Sequence, residues 1–376
     1  MLKIILFNIY LLLMMVNAFA SRTDVLKTYD KTAELVTKHF YDQTFRGLPW
    51  SKLVQEHRNM LSSNSSDEDL SQTLNNMLNL LNASHTKFLT SSDQEYWGLK
   101  SVFTGKIDGA PFYQIGAWFI QIEGKWFIRN VFRGSPAAKA GLLAGDEIIS
   151  VNGKMLQPVD SFSKNKEVTL KIKRIQNGDS FEVRIKPVFE SVQRSLLRAT
   201  KNSYQIISAK NKKIAYFHLW SGTHDSFKDL LAKAAIQASI ESDAFILDLR
   251  DGFGGAYPEY LDAFFKQGDK KAFYSKPLFV LINDGVRSGK EWLAYILKQK
   301  KRATLIGTRT KGYFLAGQPF EIKPNLFLLY LAVEENQDMP KLERNGVFPD
   351  IKETFELPYS QGVDPVMYRA FKAIVE

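Results

Sequence analysis

Cysteine is absent from the 376-residue sequence. That absence excludes disulfide staples, cysteine nucleophiles, thiolate metal sites and thiol redox chemistry, so stability must come from packed apolar cores. Histidine is scarce, with five residues. No H-E-x-x-H pair, paired-carboxylate signature or phosphate-cradling glycine loop occurs, so no metal, cofactor or nucleotide is expected. Long apolar runs are confined to the first twenty residues. There Met1-Leu2-Lys3 gives a positive start, residues 4–16 are almost wholly apolar, and Ala18-Phe19-Ala20 fits an A-x-A cleavage site before Ser21. This is the layout of a secretory signal peptide. The run is shorter than the ~20 apolar residues a membrane span needs, so an exported protein with no stable span after cleavage is expected. Concentrated charge is lacking as well. The net charge is +10, but Lys and Arg are scattered, which indicates a basic solvated surface and no nucleic-acid site.

The material present is that of an ordinary globular protein, 45% hydrophobic and 24% charged, long enough for two or three domains. Residues 22–97 have helical texture, with Val25, Leu26, Tyr29, Leu35, Val36 and Phe40 at near-helical spacing. Gly47-Leu48-Pro49-Trp50 breaks the first helix, Ser51 is placed to cap the next, and a further acidic helix starts at Asp67. From 99 to 190 the chain turns to short strands and glycine turns. Residues 118–122 and 126–131 flank Glu123-Gly124-Lys125, and two alternating segments flank Asn177-Gly178, both hairpin patterns. From 191 onward apolar runs at 244–249, 278–283 and 303–307 alternate with helical stretches at 226–238 and 288–300, the order of buried strands with crossover helices.

Residues 131–154, VFRGSPAAKAGLLAGDEIISVNGK, resemble a PDZ domain. Ser135-Pro136-Ala137-Ala138 opens a short helix, Gly145-Asp146 turns into a strand, and Asn152-Gly153 turns again. The resemblance implies a groove for an extended peptide or a polypeptide C-terminus, with Ile115, Gly116, Ala117 and Trp118 at the carboxylate loop. A PDZ used only for docking or gating is the alternative.

Further on, Ser288 follows the apolar run ending at Asn283 and precedes a helix, a position that suits an N-cap as well as a nucleophile. Its surroundings resemble the C-terminal (tail-specific) processing proteases. Asp248-Leu249-Arg250-Asp251-Gly252-Phe253-Gly254-Gly255 stands for the family's D-L-R-x-N-x-G-G loop, Ser288 lies three residues before Glu291, Gly307 ends a G-R-A-x-x-x-G-like stretch, and residues 343–350 match the closing E-x-x-G-x-x-P-D. The family fold implied is multidomain α+β. It has a signal peptide (1–20), an N-terminal helical segment (21–98), a PDZ domain (99–190) built as a small β-barrel or sandwich, and an α/β core (191–376) with a mixed, ClpP/crotonase-like sheet. The implied activity is an exported serine endopeptidase, periplasmic or secreted, acting on polypeptides; a homo-oligomer is compatible with it.

The base departs from the Ser–Lys members, because Tyr313 occupies the lysine position of their T-F-G-K-G stretch and a phenol is a poor base. Lys311, two residues away, is a weaker substitute. The resemblance is closer to the tricorn-core branch, in which a Ser–His–Glu set works. Here that set is Ser288, His85 and Glu343, with Ser84 as a hydroxyl bridge, and His85 as a packing residue is the alternative. Gly289 with Gly254 or Gly255 would supply the oxyanion hole. His39 and His57 are expected to be surface or packing residues and His218 to pack, His224 in a loop near the active-site end is a weaker base candidate, and Asp248 and Arg250 are expected to be structural. The rival readings are an inactive peptide-binding pseudoprotease and an apolar-ligand carrier on the same fold.

Overall fold

The computed structural model describes residues 24–256, 258–266, 271–335 and 340–376; the expected signal peptide lies outside them. Helix α1 (Val25–His39) starts at Asp24, whose carboxylate accepts the Lys27 N–H at 3.1 Å, and buries Val25, Tyr29, Ala33 and Val36 along one stripe. Helix α2 (Trp50–Arg58) starts earlier than Ser51 predicts. Pro49 is its N-cap residue and Ser51 lies within the first turn, since proline's fixed φ already suits a helix entry. Helix α3 (Asp67–Leu80) opens with a Ser66–Asp69 capping box. Strand β1 (Lys87–Thr90) then interrupts the helical texture read for 22–97. Its partner is residues 327–330 of a C-terminal hairpin, and local periodicity cannot reveal so distant a pairing. The N-terminal helices share one core with that hairpin, in which Tyr29, Leu74 and Phe88 meet Phe327 and Leu329.

Helix α4 (Gln94–Phe103) leads into β2 (Phe112–Gln114). The next five strands are β3 (Ala117–Ile122), β4 (Lys125–Val131), β5 (Glu147–Val151), β6 (Val168–Lys173) and β7 (Ser180–Ile185), with the short α5 (Pro136–Lys139) between β4 and β5. They form one antiparallel sheet in the order β3-β4-β5-β6-β7, which leaves β3 at an edge. Both expected hairpins are present. Strand β8 (Val188–Glu190) returns to pair with β2.

Helix α6 (Val192–Lys201) enters the core, followed by β9 (Gln205–Ala209), β10 (Lys212–His218), α7 (Asp225–Glu241), β11 (Ala244–Asp248), β12 (Leu278–Ile282), α8 (Gly289–Gln299) and β13 (Thr304–Gly307). The hairpin β14 (Ala316–Lys323) and β15 (Phe327–Glu334), then β16 (Ile351–Lys352) and α9 (Pro365–Val375), complete the chain. The six-stranded sheet runs β16-β13-β12-β11-β10-β9 and is parallel except at β9. Alternate residues explain its apolar runs. Phe245, Leu247, Val280 and Ile282 pack under α7 and α8, while Ile246, Leu281 and Ile306 meet Val366 and Ala370 of α9. A sheet covered on both faces needs continuous rather than alternating hydrophobicity. Each fully buried Leu, Val or Phe contributes roughly 1.5–3 kcal/mol. The loops after β11 and β12 leave the carboxyl ends of adjacent parallel strands, the usual place for a site in such sheets.

Candidate active site

Residues 283–288 form the turn between β12 and α8. Asn283 ties it to the loop after β11, its Oδ1 accepting the Asp251 N–H at 3.2 Å and the Gly285 N–H at 3.0 Å. Ser288 is the N-cap residue of α8, with φ 56° and ψ −136°. A non-glycine residue in such a region costs on the order of 1–3 kcal/mol and persists only where its surroundings hold it. Two acceptors do so here. The Ser288 N–H donates to the Tyr313 carbonyl at 3.0 Å and to Glu291 Oε2 at 3.0 Å. This sharp strand-to-helix turn sets the serine at the positive end of the helix dipole.

Glu291 is fully buried and also accepts the Gly312 and Tyr313 N–H groups, at 2.5 and 2.7 Å. Burial pushes its carboxyl up to about 7, against the pull of these donors. It therefore locks the 310–313 loop to the head of α8. Gly254 lies against the serine. A Cβ there would come within 2.6 Å of Ser288 Cβ and 3.0 Å of its Oγ, so only glycine permits the approach. Gly289 is constrained as well, since a Cβ on it would run into the Gly255 carbonyl. Among the described residues, no protein acceptor takes the N–H of Gly254, Gly255 or Gly289.

The second half of the site is a hydrogen-bonded chain. His85, buried and at φ 55°, has Nδ1 2.9 Å from Ser84 Oγ. That hydroxyl donates to Glu343 Oε2 at 3.0 Å, and the Ser84 N–H donates to Glu343 Oε1 at 2.8 Å. Glu343 Oε2 further accepts the Phe314 N–H at 2.9 Å and the Leu315 N–H at 3.3 Å. A hydroxyl has one proton. If Ser84 gives it to the carboxylate, it must accept from His85 Nδ1–H, which leaves Nε2 unprotonated. Burial, together with the charges of Arg287 and Arg344, pulls the imidazole down to about 3, with Glu95 opposing. His85 is therefore neutral at physiological pH.

Sequence reasoning grouped Ser84, His85 and Glu343, and the structure brings them into contact. Ser288 meets them through Tyr313, whose carbonyl holds the Ser288 N–H and whose ring centroid is 5.3 Å from that of His85. No hydrogen bond joins the Ser288 hydroxyl to His85 among the described residues. Lys311 is exposed, with its ammonium 5.4 Å from the Tyr313 ring centroid. The other histidines have packing or capping partners. His39 packs on Phe320, His57 Nδ1 lies 2.8 Å from the Leu53 carbonyl, His218 stacks on Trp220, and His224 caps α7 through the Ser226 N–H. Asp248 and Arg250 form a buried pair at 2.6 Å that extends to Asp364.

Several residues beside the site escaped the sequence. Arg287 pairs with Glu95 at 2.7 Å. From the PDZ sheet, Arg129 reaches Asp251 at 2.7 Å and Asp284 at 2.9 Å, and Asn130 also bonds Asp251. Burial alone would raise the Asp251 carboxyl, but Arg129 and Asn130 hold it below its ordinary value. An open cleft of about 600 Å³ lies between the two sheets, lined by Trp118, Phe119 and Trp126 on one side and Arg287, Lys311 and Tyr313 on the other. Ile115 and Ala117 belong to the PDZ core, and Gly116 lies against Ser135.

Known proteins fit this architecture. The pattern of peptidase family S41 matches residues 257–353, a PDZ domain matches 127–174, and the tricorn protease C1 domain matches 21–79. The chain is 26% identical to a chloroplastic carboxyl-terminal-processing peptidase 3 of Arabidopsis thaliana, over 88% of this chain and 69% of that protein. It is 25% identical to a carboxyl-terminal-processing protease of Synechocystis, over 87% and 81%. The solved tricorn protease shares the fold with a TM-score of 0.55 at 16% identity, covering 94% of this chain and 36% of tricorn. Among the described residues no helix is long and apolar enough to cross a membrane. A strand-to-helix serine at the carboxyl end of a parallel sheet and a PDZ sheet latched beside it are thus found in a serine-type peptidase with a PDZ domain, whose residues 257–353 match peptidase family S41.

Proposed function

We propose that Ser288 is the nucleophile and His85 the general base of peptide-bond hydrolysis through an acyl-enzyme, with Glu343 and Ser84 orienting the base. The carrying observation is the His85–Ser84–Glu343 hydrogen-bonded chain, because it selects the tautomer whose Nε2 can take a proton. As Ser288 Oγ bonds to the substrate carbonyl carbon, its proton passes to Nε2. The C–N bond then breaks and the imidazolium gives that proton to the leaving amine. Water attacks the ester by the same route in reverse roles, releasing the acid and regenerating Ser288. The unpaired N–H groups of Gly289 and of Gly254 or Gly255 are the donors for the oxyanion. Ser288 and His85 must draw together on substrate binding, and resting sites are commonly loose in this way. The names of the relatives support action near polypeptide C-termini, and the N-terminal sequence supports export to a periplasm or the medium.

A fluorophosphonate probe is expected to label the wild-type protein at Ser288, with labelling abolished in Ser288→Ala. Labelling that survives the substitution would sink the assignment. Absence of labelling in the wild type would favour the second reading, a peptide-binding pseudoprotease, which Tyr313 in the lysine position and the unjoined Ser288 and His85 motivate.

The PDZ domain is read as the substrate-recruiting module, and its free edge is already engaged. The Gln94 amide donates to the Ala117 carbonyl at 3.0 Å and accepts the Phe119 N–H at 3.1 Å, as an added peptide strand would. Removing this competitor frees two hydrogen-bonding groups, worth about 1 kcal/mol each. Gln94→Ala is therefore expected to tighten binding of a fluorescein-labelled decapeptide with an apolar C-terminal residue by about tenfold. Fluorescence polarisation reads this directly, and an affinity within about twofold of wild type would place the peptide elsewhere.

A further inference from the structure

Burial pulls the Lys290 ammonium down to about 7, with Asp251 and Asp248 opposing, and this lysine is fully buried on the first turn of α8. Position and burial both count against the charge, since a positive charge at a helix N-terminus opposes the macrodipole and a buried charge must be compensated. The compensation is four backbone carbonyls. Nζ lies 3.1 Å from Leu219 O, 3.4 Å from Trp220 O, 3.0 Å from Leu249 O and 2.5 Å from Asp251 O. An ammonium has three donors and no lone pair, which suits an all-carbonyl cage; a neutral amine would turn its lone pair on one of them.

These carbonyls come from the two segments that frame the loop beside Ser288. Leu219 and Trp220 continue β10, and Leu249 and Asp251 begin the loop after β11. That loop is bonded to the first segment further along, through Phe253 N–H to Trp220 O at 3.0 Å, Gly222 N–H to Gly254 O at 2.8 Å and Ala256 N–H to Gly222 O at 3.0 Å. Lys290 thus ties the start of the glycine loop to the helix that carries Ser288, two residues from the serine itself. Hydrophobic packing cannot replace this tie, because among the described residues the Leu219, Leu249 and Asp251 carbonyls have no donor besides Lys290, and Trp220 O has only the Phe253 N–H in addition.

We propose that Lys290 is the positioning residue of the oxyanion hole: its ammonium pins the carbonyls of Trp220 and Asp251 and so holds the Gly254–Gly255 N–H groups in register with Ser288 and Gly289. Lys290 touches no substrate, so it acts on transition-state stabilisation and not on peptide binding. The inference rests on Ser288 being the nucleophile.

The test uses the mature full-length protein with fluorescein-labelled casein as substrate. Lys290→Met is expected to lower kcat by about 10²–10³-fold, the cost of a lost oxyanion donor, with KM within about twofold. Lys290→Ala leaves a cavity lined by carbonyls, and millimolar methylammonium is expected to restore its kcat by about tenfold or more. Methylammonium is expected to do nothing for Lys290→Met, whose side chain fills the cavity. A folded Lys290→Met with kcat within about threefold of wild type, or an effect confined to KM, overturns the proposal. If the Met variant does not fold, Lys290→Ala refolded with methylammonium decides by the same kcat criterion. Hydrolysis that persists in Ser288→Ala identifies failure of the nucleophile reading instead, whatever the lysine variants do.

Discussion

Alanine at His85 is expected to lower kcat/KM by about 10⁴-fold or more, leaving only the residual catalysis of the oxyanion donors and substrate binding. Lys311→Met, which removes the other base candidate, is expected to stay within about threefold of wild type. The geometry dictates this contrast, because Lys311 is exposed and its ammonium lies over the Tyr313 ring, whereas His85 is buried and hydrogen-bonded to Ser84. The acid limb of the wild-type kcat/KM profile carries a second signature. In the free protein His85 is held down to about 3 by burial and by Arg287 and Arg344. A base with a lowered pKa stays unprotonated to lower pH, so activity is retained well below the ~6.5 of an ordinary imidazole. Arg287→Gln removes one of the charges responsible, which shifts that limb upward. A His85→Ala protein within about tenfold of wild type would make the histidine a packing residue, and a large loss in Lys311→Met would transfer the role to the lysine.

How much of this was legible in the sequence depends on the range of the interactions. The core strands read correctly because burial on both faces makes 244–247 and 278–282 continuously apolar, and the PDZ hairpins read correctly from their turn residues. Strand β1 did not, since its meaning lies in β15, far along the chain. Helix α2 began at Trp50 rather than after Ser51 because proline competes with serine for the entry position. The candidates Ser288, Ser84, His85 and Glu343 come from resemblance to a motif order, and no local pattern would have grouped three segments so widely separated. Lys290 had one local signal, a cation in the first turn of a helix against its dipole. Gln94, Arg129 and the Arg287–Glu95 pair had none, because their partners belong to other layers of the fold.

The largest effect away from the reacting atoms is expected at the bridge. Ser84→Ala should lower kcat/KM by at least about 10²-fold, and Glu343→Gln by up to about 10⁴-fold, the range seen when a triad histidine takes the wrong tautomer. With the Ser84 hydroxyl gone, nothing on the carboxylate side requires the proton to sit on Nδ1. The imidazole is then free to carry it on Nε2, where it cannot accept from Ser288. Glutamine at 343 acts more severely for a second reason. The carboxylate accepts N–H groups from Ser84, Phe314 and Leu315 as well as the Ser84 hydroxyl, and an amide has one oxygen for these donors and presents an NH₂ group to the rest. The two substitutions act on one chain, so the double variant should lose little more than Glu343→Gln alone. Independent, multiplying losses would mean that Ser84 and Glu343 serve separate purposes. Ser84→Ala within about threefold of wild type would reduce the bridge to packing and leave His85 to be oriented by its ring contacts with Tyr313 and Tyr330.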